Sequence, residues 1–245
     1  MMSAATWITT SLALLLGSAA AACETLVFDD TPFTVCESVP SEQPSRLWLN
    51  DAGDKRIGTF GRLQDLVSSE GQSLVWAMNA GMYHPDRRPV GLYVEDGIAQ
   101  TPIVTREGPG NFGLLPNGVL CLSENDAAIV ESRTFEESGQ ICRFATQSGP
   151  MLVIAGALHP RIIPGGASKN IRNGVGVRAD GTLVAAISDR PVNFDTFARL
   201  FRDELKTPNA LYLDGRISRL YSRELDRSDA GFPMGPILGV VAPAD

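Results

Sequence analysis

Short apolar runs separated by Asx-Gly pairs set the rhythm of this chain. The pairs are Asp96-Gly97, Asn117-Gly118, Asp180-Gly181 and Asp214-Gly215. A tight hairpin turn needs positive φ at its central residues, which Asn, Asp and Gly tolerate best. The flanks read as strands: residues 91–95 meet 98–101, 174–178 meet 182–188, and 210–213 meet 216–221. All four pairs are therefore expected to close hairpins. Two segments show helical spacing instead. Residues 62–70 form a short helix ended by Gly71, a favourable C′ residue. The second follows Asn193, a good N-cap, and carries Phe194, Phe197, Ala198, Phe201 and Leu205 on one stripe. Arg199, Arg202, Asp203 and Glu204 cover its other face, and Pro208 stops it. The pattern predicts an α+β class: one β-rich domain, mostly antiparallel or mixed in its sheet, with hairpins and a few packed helices.

The first 22 residues stand apart, with no charged side chain and an apolar run, residues 12–17, leading into Ala20-Ala21-Ala22. That arrangement suits a cleaved signal peptide. The run falls short of the ~20 residues a membrane span needs. Residues 1–22 are read as signal peptide and 23–245 as one domain, periplasmic or secreted after cleavage. Cleavage after Ala22 leaves Cys23 at the new terminus, so lipoprotein anchoring through Cys23 is the alternative. The chain has four cysteines, Cys23, Cys36, Cys121 and Cys142. An even count in an exported chain favours disulfides. Three pairings are open; Cys23–Cys36 with Cys121–Cys142 close the shortest loops and are preferred.

Composition changes the picture by exclusion. A formal charge of −7 gives nucleic acid no basic stripe to bind. There is no Gly-x-Ser-x-Gly elbow, no phosphate loop and no His-Glu-x-x-His. With two histidines in the chain, a histidine-built zinc site has too few ligands. Carboxylates, amides and arginines are left to carry any chemistry.

Five segments offer such groups. Asn79 ends the apolar run 74–78, and Gly81 beside it lets backbone approach a ligand. Gln147 and Ser148 precede a Gly-Pro break; their side chains can line a polar pocket or merely form a loop. Arg172 enters a strand with Asn173 and Gly174, where its planar fork of donors matches phosphate oxygens. Asp189 exits the apolar strand 183–187. Asp214, with Gly215 and Ser218 behind it, follows the apolar run 210–213 and reads as a buried strand opening at a pocket.

Taken in order, these segments resemble the phosphodiester glycosidase family. Residues 79–83, Asn-Ala-Gly-Met-Tyr, are similar to its Asn-Gly-Gly-Phe-Phe. Pro89-Val-Gly-Leu92, Asn111-Phe112, Pro116-Asn-Gly118 and Gly149-Pro-Met-Leu152 resemble family segments in the same sequence. Arg172-Asn-Gly-Val-Gly176 resembles its Arg-x-x-x-Gly strand, and residues 210–215 its Ala-Leu-x-Leu-Asp-Gly. One departure stands out. The family's Leu-Asp-Gly-Gly-Gly-Ser is here Leu-Asp-Gly-Arg216-Ile217-Ser218.

The resemblance implies hydrolysis of a sugar-1-phosphodiester between the anomeric carbon and its oxygen. It assigns Arg172 to phosphate, Asp214 to the role of nucleophile, base or charge stabiliser, and Asp189 to that of second carboxylate. Asn79, Gly81, Gln147, Ser148, Asn173, Gly215 and Ser218 become substrate contacts. The substrate is then a small-molecule or glycan sugar-phosphate. No cofactor or dedicated metal motif is expected, with a divalent ion in acidic loops left open, as is the oligomeric state. Replacement of two glycines by Arg216 and Ile217 favours the alternative: a non-catalytic periplasmic binding protein for a phosphorylated glycan or envelope polymer.

Overall fold

The computed structural model describes residues 23–244; the expected signal peptide lies outside them. Three antiparallel sheets wall a common interior. The first has seven strands, in the spatial order Cys23–Phe28, Thr31–Ser38, Leu183–Ser188, Asn173–Val177, Asn209–Asp214, Met151–Ile154 and Ala157–Leu158. The second has five: Arg227–Ser228, Leu220–Ser222, Gln72–Asn79, Ile237–Pro243 and Ser45–Trp48. The third also has five: Ile98–Thr101, Tyr93–Glu95, Phe144–Ser148, Gly118–Leu122 and Ala127–Glu131. The class is α+β, as the pattern predicts.

Period-two alternation explains how one strand serves two cores. In the strand Leu183–Ser188, Leu183, Ala185 and Ile187 face the common interior. Val184 and Ala186 face outward, into a second cluster with Phe197 and Phe201. The strand is buried on both faces, so its sequence reads as a continuous apolar run. The same division sends Leu211 and Leu213 inward and Ala210 and Tyr212 outward.

Each sheet carries a helical segment on its outer face. Phe60–Ser69 covers the second sheet with Phe60, Leu63 and Val67. It begins two residues before the predicted start, because the Thr59 hydroxyl caps the Arg62 N–H. Ser132–Ser138 covers the third through Phe135. With one buried large apolar side chain, that helix shows no readable period. The Glu131 carboxylate and left-handed Gly139 define its ends instead. Phe194–Arg199 covers the first sheet, with the Asn193 amide oxygen accepting from the Thr196 N–H as expected. The segment then widens into a π-helical turn, Leu200–Glu204, rather than continuing as α-helix.

Two of the four Asx-Gly pairs are hairpin turns. Asp96-Gly97 joins paired strands, as does Asp180-Gly181. The other two expectations are corrected. Asn117 is fully buried, its amide donating to the Phe112 carbonyl, and Gly118 opens a strand. The strand before Asp214-Gly215 belongs to the first sheet, whereas Leu220–Ser222 belongs to the second. Asp214-Gly215 therefore begins a crossing between sheets.

Both preferred disulfides are present, Cys23–Cys36 and Cys121–Cys142. The first joins one edge strand of the large sheet to the strand beside it. It occupies the Cys23 sulfur, leaving no free thiol there for lipid attachment.

Candidate functional site

The candidate site lies around the crossing segment that follows Asp214, between the first and second sheets. A bulge prepares it. Asn173 pairs with Asp214 while Gly174 pairs with Tyr212, so Leu213 is the extra residue. Bulges re-aim side chains at strand ends. Beyond it, the carboxylate of Asp214 accepts the N–H groups of Gly215 and Arg216 and, among the described residues, forms no ion pair.

A buried amide network ties this turn to the second sheet. The Asn173 amide donates to the Asn79 carbonyl at 2.7 Å, and its oxygen accepts from the Asn79 amide at 3.2 Å. The Asn79 side-chain oxygen in turn accepts the Arg219 backbone N–H at 2.9 Å. Ser218 Oγ lies within hydrogen-bond reach of the Ile171 and Asp214 carbonyls, both at 3.0 Å, and of Asn173 Oδ1 at 3.2 Å. Asn79, Asn173, Asp214, Gly215 and Ser218 are thus brought together, although they come from distant parts of the chain.

Other sequence-selected residues lie deeper. Gln147 is completely engaged. Its oxygen accepts from the backbone of Leu92 and Val104, and its amide donates to the Val104 carbonyl and the Ser132 hydroxyl. It joins loops internally. Ser148 bonds the Leu213 carbonyl across two sheets. At Gly81, an added Cβ would collide with Thr146 and the Gln147 carbonyl, so this glycine permits sheet contact. The space beside Gly174 is also filled: an added Cβ would stand 3.0 Å from the Phe197 ring. The two strand glycines, Gly174 and Gly176, seat the helical layer and Thr207 rather than leaving an opening.

Arg172 is 1% exposed and, among the described residues, has no carboxylate partner. Its guanidinium donates to the Val192 carbonyl, the Tyr212 hydroxyl and the Ser168 carbonyl at 2.9–3.0 Å. It also stacks 3.8 Å over the Phe194 ring. Burial pushes it below the usual arginine range, opposed by Tyr212. Gly215 lies directly on this group: an added Cβ would meet the Tyr212 hydroxyl and stand 3.3 Å from Arg172 Nη1. The absence of a side chain lets the backbone close over the buried cation.

Gly215 also belongs to the wall of an open cavity of about 700 Å³. Lys169, Arg216, Arg219 and Arg227 supply four cations to that wall, and Asp189 and Asp229 two carboxylates. Both carboxylates are engaged by Arg227, at 2.6 Å and 3.0 Å. Thr34 adds a hydroxyl bond to Asp189. Asp189 is therefore a neutralised wall residue, and the unpaired charge in the cavity is positive, in a chain whose net charge is −7.

Arg219 is the most enclosed of the cavity's unpaired cations, 6% exposed. Among the described residues its guanidinium makes no ion pair. Burial lowers its pKa, with Tyr83 and Asp229 acting against the shift. Gly231 is packed on it: an added Cβ would lie 2.5 Å from Nη2 and 2.6 Å from Cζ. Tyr83 stands nearby, its hydroxyl held to about 12 by burial first and by the Asp214 charge second. Arg219 was missed by the sequence reading, which saw an ordinary hairpin strand. Its signal was the one used for Arg172, a cation opening the buried run Leu220-Tyr221.

The fold is three antiparallel sheets, with a positively charged cavity at the segment crossing from the first sheet to the second. The particular family follows from comparison. The family model described as phosphodiester glycosidase matches residues 72–240, and the chain belongs to that family. It is 37% identical over 184 residues to the uncharacterized protein YigE of Escherichia coli K12, spanning 75% of this chain and 72% of YigE. The fold resembles the catalytic domain of zebrafish N-acetylglucosamine-1-phosphodiester alpha-N-acetylglucosaminidase, solved auto-inhibited by its pro-peptide. That match has a TM-score of 0.57 at 13% identity, covering 89% of this chain and 81% of the other. A hypothetical protein from Synechocystis matches with a TM-score of 0.59 at 13% identity, over 90% of this chain and 61% of its own.

Proposed function

We propose that the protein is an exported hydrolase that cleaves the glycosidic bond of a sugar-1-phosphodiester. The observation that carries this reading is a positive cavity whose wall includes Gly215, the residue after Asp214, a carboxylate without an ion pair among the described residues, in a member of this family. Two disulfides support an oxidising compartment, periplasmic or secreted. The substrate is a glycan or small-molecule sugar-phosphate.

The chemistry needs few groups. Cleavage leaves positive charge on the anomeric carbon and ring oxygen, and a carboxylate stabilises it. Asp214 takes this role, either removing a proton from the water that attacks the carbon as the carbon–oxygen bond breaks, or attacking the carbon itself to form a glycosyl ester that water then hydrolyses, freeing the sugar and the carboxylate. The phosphate monoester departs as a weak base with the bond electrons. It needs charge neutralisation more than a proton, and Arg219 provides it. This assignment moves the phosphate contact from Arg172, whose donors hold carbonyls and a hydroxyl, to the cation that faces the cavity. Arg172 becomes a positioning residue beneath Gly215. A second free carboxylate is dispensable for such a leaving group, consistent with Asp189 being paired to Arg227.

Hydrolysis in oxygen-18 water tests the reaction class. Label in the released sugar supports cleavage at the anomeric carbon. Label in phosphate would mean attack at phosphorus and would sink the glycosidase reading. The binding-protein reading is favoured by the larger Arg216 and Ile217 in the cavity wall; it predicts ligand retained intact on prolonged incubation.

A further inference from the structure

The cavity has a second character. Phe232 lines it and is 76% exposed, the one aromatic among the described residues that are large, apolar and exposed. Isolated exposed aliphatic residues are ordinary on protein surfaces. Phe232 differs because its loop is anchored on both sides. Before it, Asp229 accepts from the Leu220 N–H and from Arg227, and its own N–H bonds the Leu220 carbonyl. After it, Met234 is 1% exposed and its N–H bonds the Gly58 carbonyl. The ring is thus held out into the cavity mouth on a braced segment. Its chain neighbour Gly231 is the residue packed on the Arg219 guanidinium, so the ring follows directly on the contact with that cation. Ile217 and Arg216 share this wall, at positions where the family pattern has glycine. A flat ring, an aliphatic side chain and a guanidinium together suit a planar aromatic guest by stacking, dispersion and cation–π attraction.

We infer that Phe232, with Ile217 and Arg216, forms a subsite for an aromatic ring on the group beyond the phosphate. The substrate class is then a sugar-1-phosphodiester whose aglycone carries an aromatic ring close to the phosphate. The inference rests on the glycosidase reading for its orientation, with the sugar towards Asp214 and the aglycone towards Phe232.

Alkyl phosphates test it without knowledge of the sugar. They represent the leaving group released by cleavage at the anomeric carbon. Affinities of ethyl phosphate, 2-cyclohexylethyl phosphate and 2-phenylethyl phosphate are measured by NMR titration of the wild-type protein, Phe232→Ala and Phe232→Tyr. The subsite predicts that 2-phenylethyl phosphate binds about fivefold more tightly than its cyclohexyl analogue. That ratio falls to about one in Phe232→Ala and persists in Phe232→Tyr. Equal wild-type affinities for the two ring compounds, a ratio unchanged in Phe232→Ala, or no binding of any of the three would overturn the inference. Turnover of sugar-1-phosphodiesters is followed in parallel. Turnover without ring preference sinks the subsite alone; ring preference without turnover sinks the glycosidase reading alone.

Discussion

The same dipeptide, Asp-Gly, follows two strands of the large sheet and meets two fates. At Asp180-Gly181 the chain turns back at once, and the strands on either side pair with each other. Gly181 adopts φ of +88° and has open space where a Cβ would be. At Asp214-Gly215 the chain leaves the sheet. Gly215 has no positive φ of that kind; it is glycine because Tyr212 and Arg172 leave no room. One glycine serves backbone conformation and the other serves contact. The two aspartates differ likewise. Asp180 is fully exposed, held below the usual carboxylate range by the Thr182 N–H. Asp214 is half-buried between two tyrosines whose hydroxyls it helps to raise. Local chemistry is the same, and what lies behind the turn decides its use.

The largest effect should come from removing what lies behind Gly215. Arg172→Met strands two carbonyls and a tyrosine hydroxyl, and about 3 kcal/mol of stability is expected to be lost in urea unfolding. A loss below about 1 kcal/mol would show that the buried cation is not what the turn rests on. Next, Gly215→Ala forces atoms into an occupied space and should cost roughly 2 kcal/mol together with turnover. Gly181→Ala is the matched control. Its cost is confined to left-handed backbone, about 1 kcal/mol, and its turnover should equal wild type. Equal damage from the two alanines would erase the distinction between the turns.

The smallest effect is spectroscopic. Tyr83 and Tyr212 are each pushed up to about 12, mainly by burial and further by the Asp214 charge. A raised tyrosine pKa stabilises the folded state below about pH 10, and that contribution is lost as pH rises towards 12. In Asp214→Asn both hydroxyls should ionise at lower pH, read by ultraviolet absorbance, and, with the gap to the unfolded value narrowed, alkaline unfolding should begin later. Unchanged tyrosine titration would place Asp214 away from both rings.

Features set by neighbouring residues were the legible ones. The hairpins at Asp96-Gly97 and Asp180-Gly181, the Asn193 cap and both short-loop disulfides follow from local chemistry. Asn79 and Asp214 stood out because each sits at the end of an apolar run, where a buried strand must open; Asn173 opens its strand, and the structure brings both beside it and Ser218. What escaped depends on distant partners. Gln147 looks like a pocket residue until the backbone of Leu92 and Val104 claims its amide. Arg172 and Arg219 open similar strands, yet Ser168, Val192 and Tyr212 absorb one guanidinium while Gly231 leaves the other facing the cavity. Asp189 reads as a free carboxylate because Arg227 lies 38 residues away. The π-helical turn escaped because the stripe Phe197, Phe201 and Leu205 fits an α-helix just as well.

The central claim is that Asp214, and not merely an Asp-Gly turn, carries the reaction. Sugar release from a panel of sugar-1-phosphodiesters, including p-nitrophenyl and uridine diphosphate esters, is measured for the oxidised protein beside Asp214→Asn and Asp180→Asn. Turnover is expected from the wild-type protein and from Asp180→Asn, with a fall of about a thousandfold in Asp214→Asn. Wild-type turnover in a correctly folded Asp214→Asn protein would contradict that claim.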